Sequence, residues 1–168
     1  ILNYNGKVVA WGSNNYGGNT TLVDNDISAN IVKISPSPQG FHAINSDGKV
    51  FAWGMGTSNT GYFCPNFDNN KDFVDIITTA GLTTGNHSSF VGLKSDGTIQ
   101  TWGYYHHGQV AHQIRNEVND KYIELYSLLN GFVGLKEDRT CVIWGRHDSY
   151  STTSLFYKQV NIKNNLTN

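Results

Sequence analysis

Apolar and polar positions alternate in short runs along this chain, and the runs come in copies. Phe41 and Ala43 alternate with His42 and Ile44. After a break at "NSDG", Val50 and Ala52 fall on one face and Phe51 and Trp53 on the other. A period of two over five or six residues predicts a strand. Two such runs joined by residues that tolerate positive φ predict a tight hairpin. The phrase "FHAINSDGKVFAWG" (41–54) is repeated position by position as "FVGLKSDGTIQTWG" (90–103) and "FVGLKEDRTCVIWG" (132–145). "YNGKVVAWG" (4–12) gives the second half of a fourth copy. A short strand-like run stands upstream of each full copy: "IVKI" at 31–34, "FVDI" at 73–76 and "YIEL" at 122–125.

The four tryptophans, Trp11, Trp53, Trp102 and Trp144, are spaced 42, 49 and 42 residues apart. A period of this size predicts stacked units that bury one another's apolar faces. The longer interval is a loop insertion between Ile76 and Phe90. A Trp in every unit predicts inter-unit core, and the Gly after it predicts a sharp turn or a close approach. Ala43, Gly92 and Gly134 are small, which predicts that their strand is the innermost, near a crowded axis. Arg139 stands where the other turns carry Gly, which predicts a different turn or local strain. "VNI" at 160–162 resembles "VKI" and "VDI". Residues 158–168 are therefore expected to complete the first unit together with 1–12 and to close a ring. A piece of a longer array is the alternative reading. The chain begins with Ile rather than Met, which points to a trimmed chain or a part of a larger one.

The phrases "INSDGKVFAWG", "GKVVAWGSNNYGG" and "LKSDGTIQTWGYYHHGQ" resemble the regulator-of-chromosome-condensation repeat, with "LKEDRTCVIWGRHDSY" the weakest match. The resemblance covers essentially the whole chain. It implies an all-β fold, a β-propeller of about four blades in a single domain over 1–168, and work done by binding through loops on one face. Its period is nearer that of bacterial members such as the β-lactamase-inhibitory propeller. Members of that family include nucleotide-exchange factors, enzyme inhibitors and adaptor modules.

Composition narrows the classes. The formal net charge is −1 over 168 residues, with no basic block to neutralise phosphate, so no nucleic-acid partner is expected. No apolar run is long enough to span a bilayer as a helix. Cys64 and Cys141 have no metal-knuckle spacing. His106, His107 and His112 invite a metal reading, but no carboxylate or cysteine completes the set, so no metal or cofactor is expected. Asp47, Asp96 and Asp138 are turn residues by position. No nucleophile motif appears, and the chain reads as non-catalytic.

What differs between the copies is more telling than what repeats. After each "WG" comes a divergent stretch: "SNNYGGN", "MGTSNTGYFCPNF", "YYHHGQV" and "RHDSYSTT". Equivalent positions of stacked units share one side of the molecule. The expected binding face therefore holds Asn15, Tyr16, Tyr62, Phe63, Tyr104, Tyr105, His106, His107, Arg146, His147 and Tyr150. Tyr gives rigid contact area at low entropic cost, and Asn gives adaptable hydrogen bonding. The expected function is a protein-binding module of a secreted, cell-surface or toxin protein, extracellular and of bacterial type. A glycan-binding propeller and a regulator of a small GTPase are the alternatives, and association of several chains is a further expectation.

Overall fold

In a computed structural model of the protein the described residues are 1–54, 70–79, 88–103, 120–146 and 155–161; for Arg146 and 155–161 this means the backbone alone. Ten strands and one 3-10 turn (Asn14–Tyr16) make up the regular structure among them, the strands being β1 (Ile31–Ser37), β2 (Gly40–Asn45), β3 (Val50–Gly54), β4 (Phe73–Thr78), β5 (Ser89–Lys94), β6 (Ile99–Gly103), β7 (Tyr122–Leu128), β8 (Gly131–Lys136), β9 (Thr140–Arg146) and β10 (Leu155–Asn161). They form three antiparallel sheets, ordered β1-β2-β3, β4-β5-β6 and β10-β9-β8-β7. The fold is all-β, and each sheet is open. Residues 1–12 add a small hairpin, with a bridge between Leu2 and Val8.

The hairpins fall where the alternation predicts. In β2–β3, Phe41 pairs with Trp53 and Ala43 with Phe51; in β5–β6 and β8–β9 the same columns pair Phe90 with Trp102 and Phe132 with Trp144. Each turn is closed by the same bond. The amide of Gly6, Gly48, Gly97 or Arg139 donates to the carbonyl three residues earlier, at 2.9–3.0 Å. All four residues have φ between 67° and 86°. Arg139, at 67°, thus keeps the shared turn and carries a side chain in the left-handed region, where an L-residue is strained.

The sheets pack by one rule. One face of β1–β3 (Ile44, Val50, Ala52) buries the opposite face of β4–β6 (Phe73, Ile76, Phe90, Trp102). The other face of β4–β6 (Val91, Leu93, Ile99) buries Tyr122, Leu125, Phe132, Val142 and Trp144. At the start of the chain, Val8 and Ile27 pack on Ile31, Ala43, Phe51 and Trp53. Backbone bonds keep the units in step. The carbonyls of Gly6, Gly48 and Gly97 accept the amides of Ile31, Phe73 and Tyr122, the first residues of β1, β4 and β7, at 2.9–3.0 Å.

Three sequence expectations change. The converging strands are β1, β4 and β7, since β1 lies against β4 and β4 against β7. The strands of Ala43, Gly92 and Gly134 are the middle ones of their sheets. Their small residues make room for a ring: a Cβ on Gly92 would come within 2.5 Å of Phe73 Cε1, and one on Gly134 would strike the Tyr122 ring. Where Ala43 stands, the matching residue is the slimmer Ile31. Second, Trp53, Trp102 and Trp144 are 2%, 3% and 0% exposed, as core residues should be, whereas Trp11 is 68% exposed. Nothing in residues 1–12 supplies the strand that would cover it. Third, residues 158–168 are expected to complete the first unit; of these, 158–161 lie in β10, which pairs with β9 from Leu155 opposite Arg146 to Asn161 opposite Thr140, and 162–168 lie outside the described residues. The open edge of β9 is the nearest antiparallel partner along the chain, and sequential strands commonly pair in this way.

The insertion is confirmed in place. Two residues join β1 to β2 and β7 to β8, whereas ten separate Thr78 from Ser89. The strands on either side keep their register, with Thr78 opposite Phe90 and the Thr79 amide bonded to the Ser89 carbonyl.

Candidate functional site

The hairpins have two ends of different character. At the turn end, polar side chains hold the backbone. Asn3 Oδ1 accepts the amides of Asn5 and Lys7, and Asn45 Oδ1 those of Asp47 and Lys49, at 2.8–3.1 Å. In the later units the acceptor moves two residues on. Asp96 Oδ1 takes the Thr98 amide at 2.9 Å and its hydroxyl at 2.7 Å, and Asp138 Oδ1 takes the Thr140 amide at 2.8 Å. The Thr98 hydroxyl and then its amide hold the Asp96 carboxyl below the usual aspartate range. Asp96 and Asp138 are therefore structural, as their turn positions predict.

At the other end β3 and β6 finish in "WG", β9 carries it one residue before its end, and the first hairpin is followed by it. Gly12, Gly54, Gly103 and Gly145 all have positive φ, from 101° to 144°. A Cβ at Gly103 would lie 2.5 Å from the Ser88 carbonyl oxygen, and one at Gly54 would strike that of Gln39. At Gly54, Gly103 and Gly145 glycine is needed because the backbone entering the sheet's middle strand passes too close for a Cβ, whereas the space around Gly12 is open. The four "WG" glycines therefore share a positive φ at matching positions of the repeat, each just before a stretch of unlike sequence.

The first of these segments is described in full. Ser13 leads into a 3-10 turn over Asn14–Tyr16, and Gly17 follows with φ 96°. The Gly17 carbonyl accepts Trp53 Nε1–H at 3.0 Å. Gly17 also lies under the Phe41 ring, 2.6 Å from a hypothetical Cβ to Cδ2, and Phe41 stacks on Trp53 with centroids 5.5 Å apart. The segment following one unit's Trp is thus fixed to the Trp of the next unit. Asn15 and Tyr16 stay exposed. Trp144 Nε1, by contrast, is buried with no acceptor among the described residues.

Of the expected face, Asn15 and Tyr16 are on this turn. Arg146 ends β9, opposite Leu155. Tyr62, Phe63, Tyr104, Tyr105, His106, His107, His147 and Tyr150 lie outside the described residues, as does Cys64.

Other features were not singled out from the sequence. An open apolar cleft of about 140 Å³ lies between the first hairpin and β1–β3, bounded by Ile1, Val9, Trp11, Ile34, Phe41 and Trp53. A second groove, about 520 Å³, runs along the converging strands and includes Lys33, Ser35, Ser37, Asp75, Thr78 and Ser127. Lys33 Nζ and Asp75 Oδ1 pair across it at 2.5 Å. On the neighbouring β7, the Tyr126 hydroxyl bonds to Glu124, and that bond and the Glu124 charge push the phenol pKa up. The signal was present in the aligned phrases "IVKI", "FVDI" and "YIEL", where Lys33, Asp75 and Glu124 share one column. His42 is buried against Phe90 and Trp102, with centroids 4.5 and 6.0 Å away, where the other units carry valine. Among the described residues no three His, Cys, Asp or Glu side chains stand together as metal ligands, and no helix is long and apolar enough to cross a membrane.

No family model matches this chain, and a search of curated proteins returns no match.

Proposed function

We propose that the protein is a non-catalytic binding module, its sheets standing as blades of a propeller of about four units, with a protein partner engaged by the segments that follow each "WG". The observation that supports this reading most is the shared backbone of the "WG" positions: Gly12, Gly54, Gly103 and Gly145 all take positive φ, at the ends of β3 and β6, within the last residues of β9, and at the matching place after the first hairpin. Constant strands then carry divergent Tyr-, His- and Asn-rich segments. The repeat resemblance in the hairpins and the repeated face-to-face packing support the propeller reading in turn. A rigid scaffold loses little entropy when its loops bind, so a few aromatic side chains can supply most of the affinity.

The test is affinity capture of partners on the immobilised chain, followed by Tyr105→Ala and His106→Ala. Each variant should weaken binding by about 1–2 kcal/mol or more with the melting temperature unchanged. Ser95→Ala, on the exposed turn at the opposite end, should bind as wild type. Loss of binding in Ser95→Ala and retention in the other two would place the partner at the turn end. A glycan array run in parallel separates the two ligand classes. Signal there with no captured protein would favour the glycan-binding alternative.

A further inference from the structure

A hydroxyl without a bond marks the groove between β1 and β4. Ser35 lies opposite His42 in the β1–β2 pair and is 9% exposed. Its hydroxyl has no hydrogen-bond partner among the described residues. The oxygen is not sealed off, and the space it reaches is the groove of about 520 Å³ that Ser35 lines. Buried hydroxyls are normally bonded, so an unmet one on a groove wall is a place for a ligand atom. Across the groove, Asp75 Oδ1 is engaged by Lys33 Nζ at 2.5 Å and by the Ile76 amide at 2.6 Å. That leaves the other carboxylate oxygen as an acceptor beside the remaining ammonium N–H donors. Thr78 and Ser127 bring hydroxyls from β4 and β7, and Ile34, Pro36 and Ile77 supply apolar wall between the polar groups.

We propose that this groove binds a neutral saccharide of one or two rings, held by β1, β4 and β7 rather than by the segments after "WG". The volume suits a small ligand, whose pockets run to about 300–1,000 Å³. Charge decides against an anion, because Asp75 already neutralises Lys33 and the other polar side chains on the walls are hydroxyls. A peptide added as a strand along β1 would find no amide at Pro36 or Pro38. A saccharide fits what remains. Adjacent sugar hydroxyls match the acceptor and donors set side by side on Asp75 and Lys33. Single hydroxyls match Ser35 and Ser127, since each such group both gives and takes a bond. The C–H face of a pyranose ring rests on the aliphatic wall. The proposal does not depend on a protein partner at the "WG" segments, and it differs from the glycan alternative in where the sugar sits.

Amide NMR shifts of the whole chain, titrated with glucose, galactose, mannose, N-acetylglucosamine, lactose and cellobiose, test this. At least one of these sugars should give saturable shifts at Ser35, Asp75 and Ser127 with a dissociation constant below about 10 mM. Ser35→Ala should weaken that sugar about three- to tenfold, as loss of a neutral hydrogen bond does, and Asp75→Asn at least about tenfold. The melting temperature of Ser35→Ala should stay at or above the wild-type value, because the hydroxyl removed has no partner among the described residues; the variant then reports binding and not unfolding. Absence of saturable shifts with every one of these sugars at up to about 50 mM overturns the proposal. So does inorganic phosphate that binds there more tightly than they do, which would make Lys33 part of an anion site. Shifts abolished by Tyr105→Ala and unchanged in Ser35→Ala would put the sugar on the segments after "WG", overturning the groove and leaving the glycan alternative standing.

Discussion

Arg139 shows what a single position can reveal. It holds the backbone of the glycine turn at φ 67°, a region that costs an L-residue about 1–2 kcal/mol. Glycine also loosens the unfolded chain, which takes back part of that gain. Arg139→Gly should therefore raise stability by up to about 1 kcal/mol, read as a melting temperature about 2–4 °C higher. The tryptophans make a second comparison. Trp53→Ala removes a buried ring stacked on Phe41 and should cost about 3–5 kcal/mol in urea denaturation. Trp11→Ala, measured in dilute solution, should stay within about 0.5 kcal/mol of wild type, as exposed substitutions do. At the turn end, the folded-state pKa of Asp96 is lowered, so its contribution is full above the ordinary aspartate range and is lost as pH falls through the folded value. Asp96→Asn cannot titrate. The stability difference between it and wild type should change only on that acid limb, and a difference that changes instead between pH 6 and 8 would assign it elsewhere.

The strands were more legible in the sequence than their placement. Period-two alternation marks all three hairpins because each strand has one face toward each neighbouring sheet, and the turn residues set the register. The place of the small residues was not legible in the same way. Gly92 and Gly134 are small because Phe73 and Tyr122 cross over them from the adjacent strand, and a ring crossing depends on which strands pair. Once β4 is known to pair with β5, the trade is visible: Ile31 with Ala43, Phe73 with Gly92, Tyr122 with Gly134. Likewise "VNI" resembles the start of another unit in composition, but β10 takes the nearest free edge. This gives an element-scale prediction. Ending the chain after Arg146 leaves β7–β9 as a three-stranded sheet like the other two. Near-UV circular dichroism should still show one cooperative melt, while the bared edge of β9 should raise aggregation on concentration. Loss of the cooperative transition would mean that β10, or the residues beyond it, holds more than one sheet.

At the scale of the molecule, three cores lie in series among the described residues, each shared by consecutive units. Stability in such an array is close to a sum of unit terms and nearest-neighbour terms. A double-mutant cycle between Ile44→Ala and Trp102→Phe, which share a core, should give a coupling of about 0.5 kcal/mol or more. A cycle between Ile44→Ala and Val142→Ala, in different cores, should be additive within about 0.3–0.5 kcal/mol. The candidate face was legible at this scale and only as a side of the molecule. Repetition puts the "WG" ends at matching places of their units, and the glycine φ values show only that these places share a local backbone shape. The fixing of Ser13–Gly18 to Trp53 could not be read, because it joins residues of two different units through a backbone carbonyl.

The bond from the first three turn carbonyls to the next sheet has a consequence for how such a chain can change over time. Gly6, Gly48 and Gly97 hold Ile31, Phe73 and Tyr122 through main-chain atoms alone, and no side-chain substitution deletes a carbonyl or, proline aside, an amide. The phase between neighbours is therefore written in atoms that every copy shares. Duplicated copies can drift apart in sequence and still stay aligned. The fourth turn, with arginine in place of glycine, keeps the same bend, so even the turn residue can change without loss of the local backbone shape.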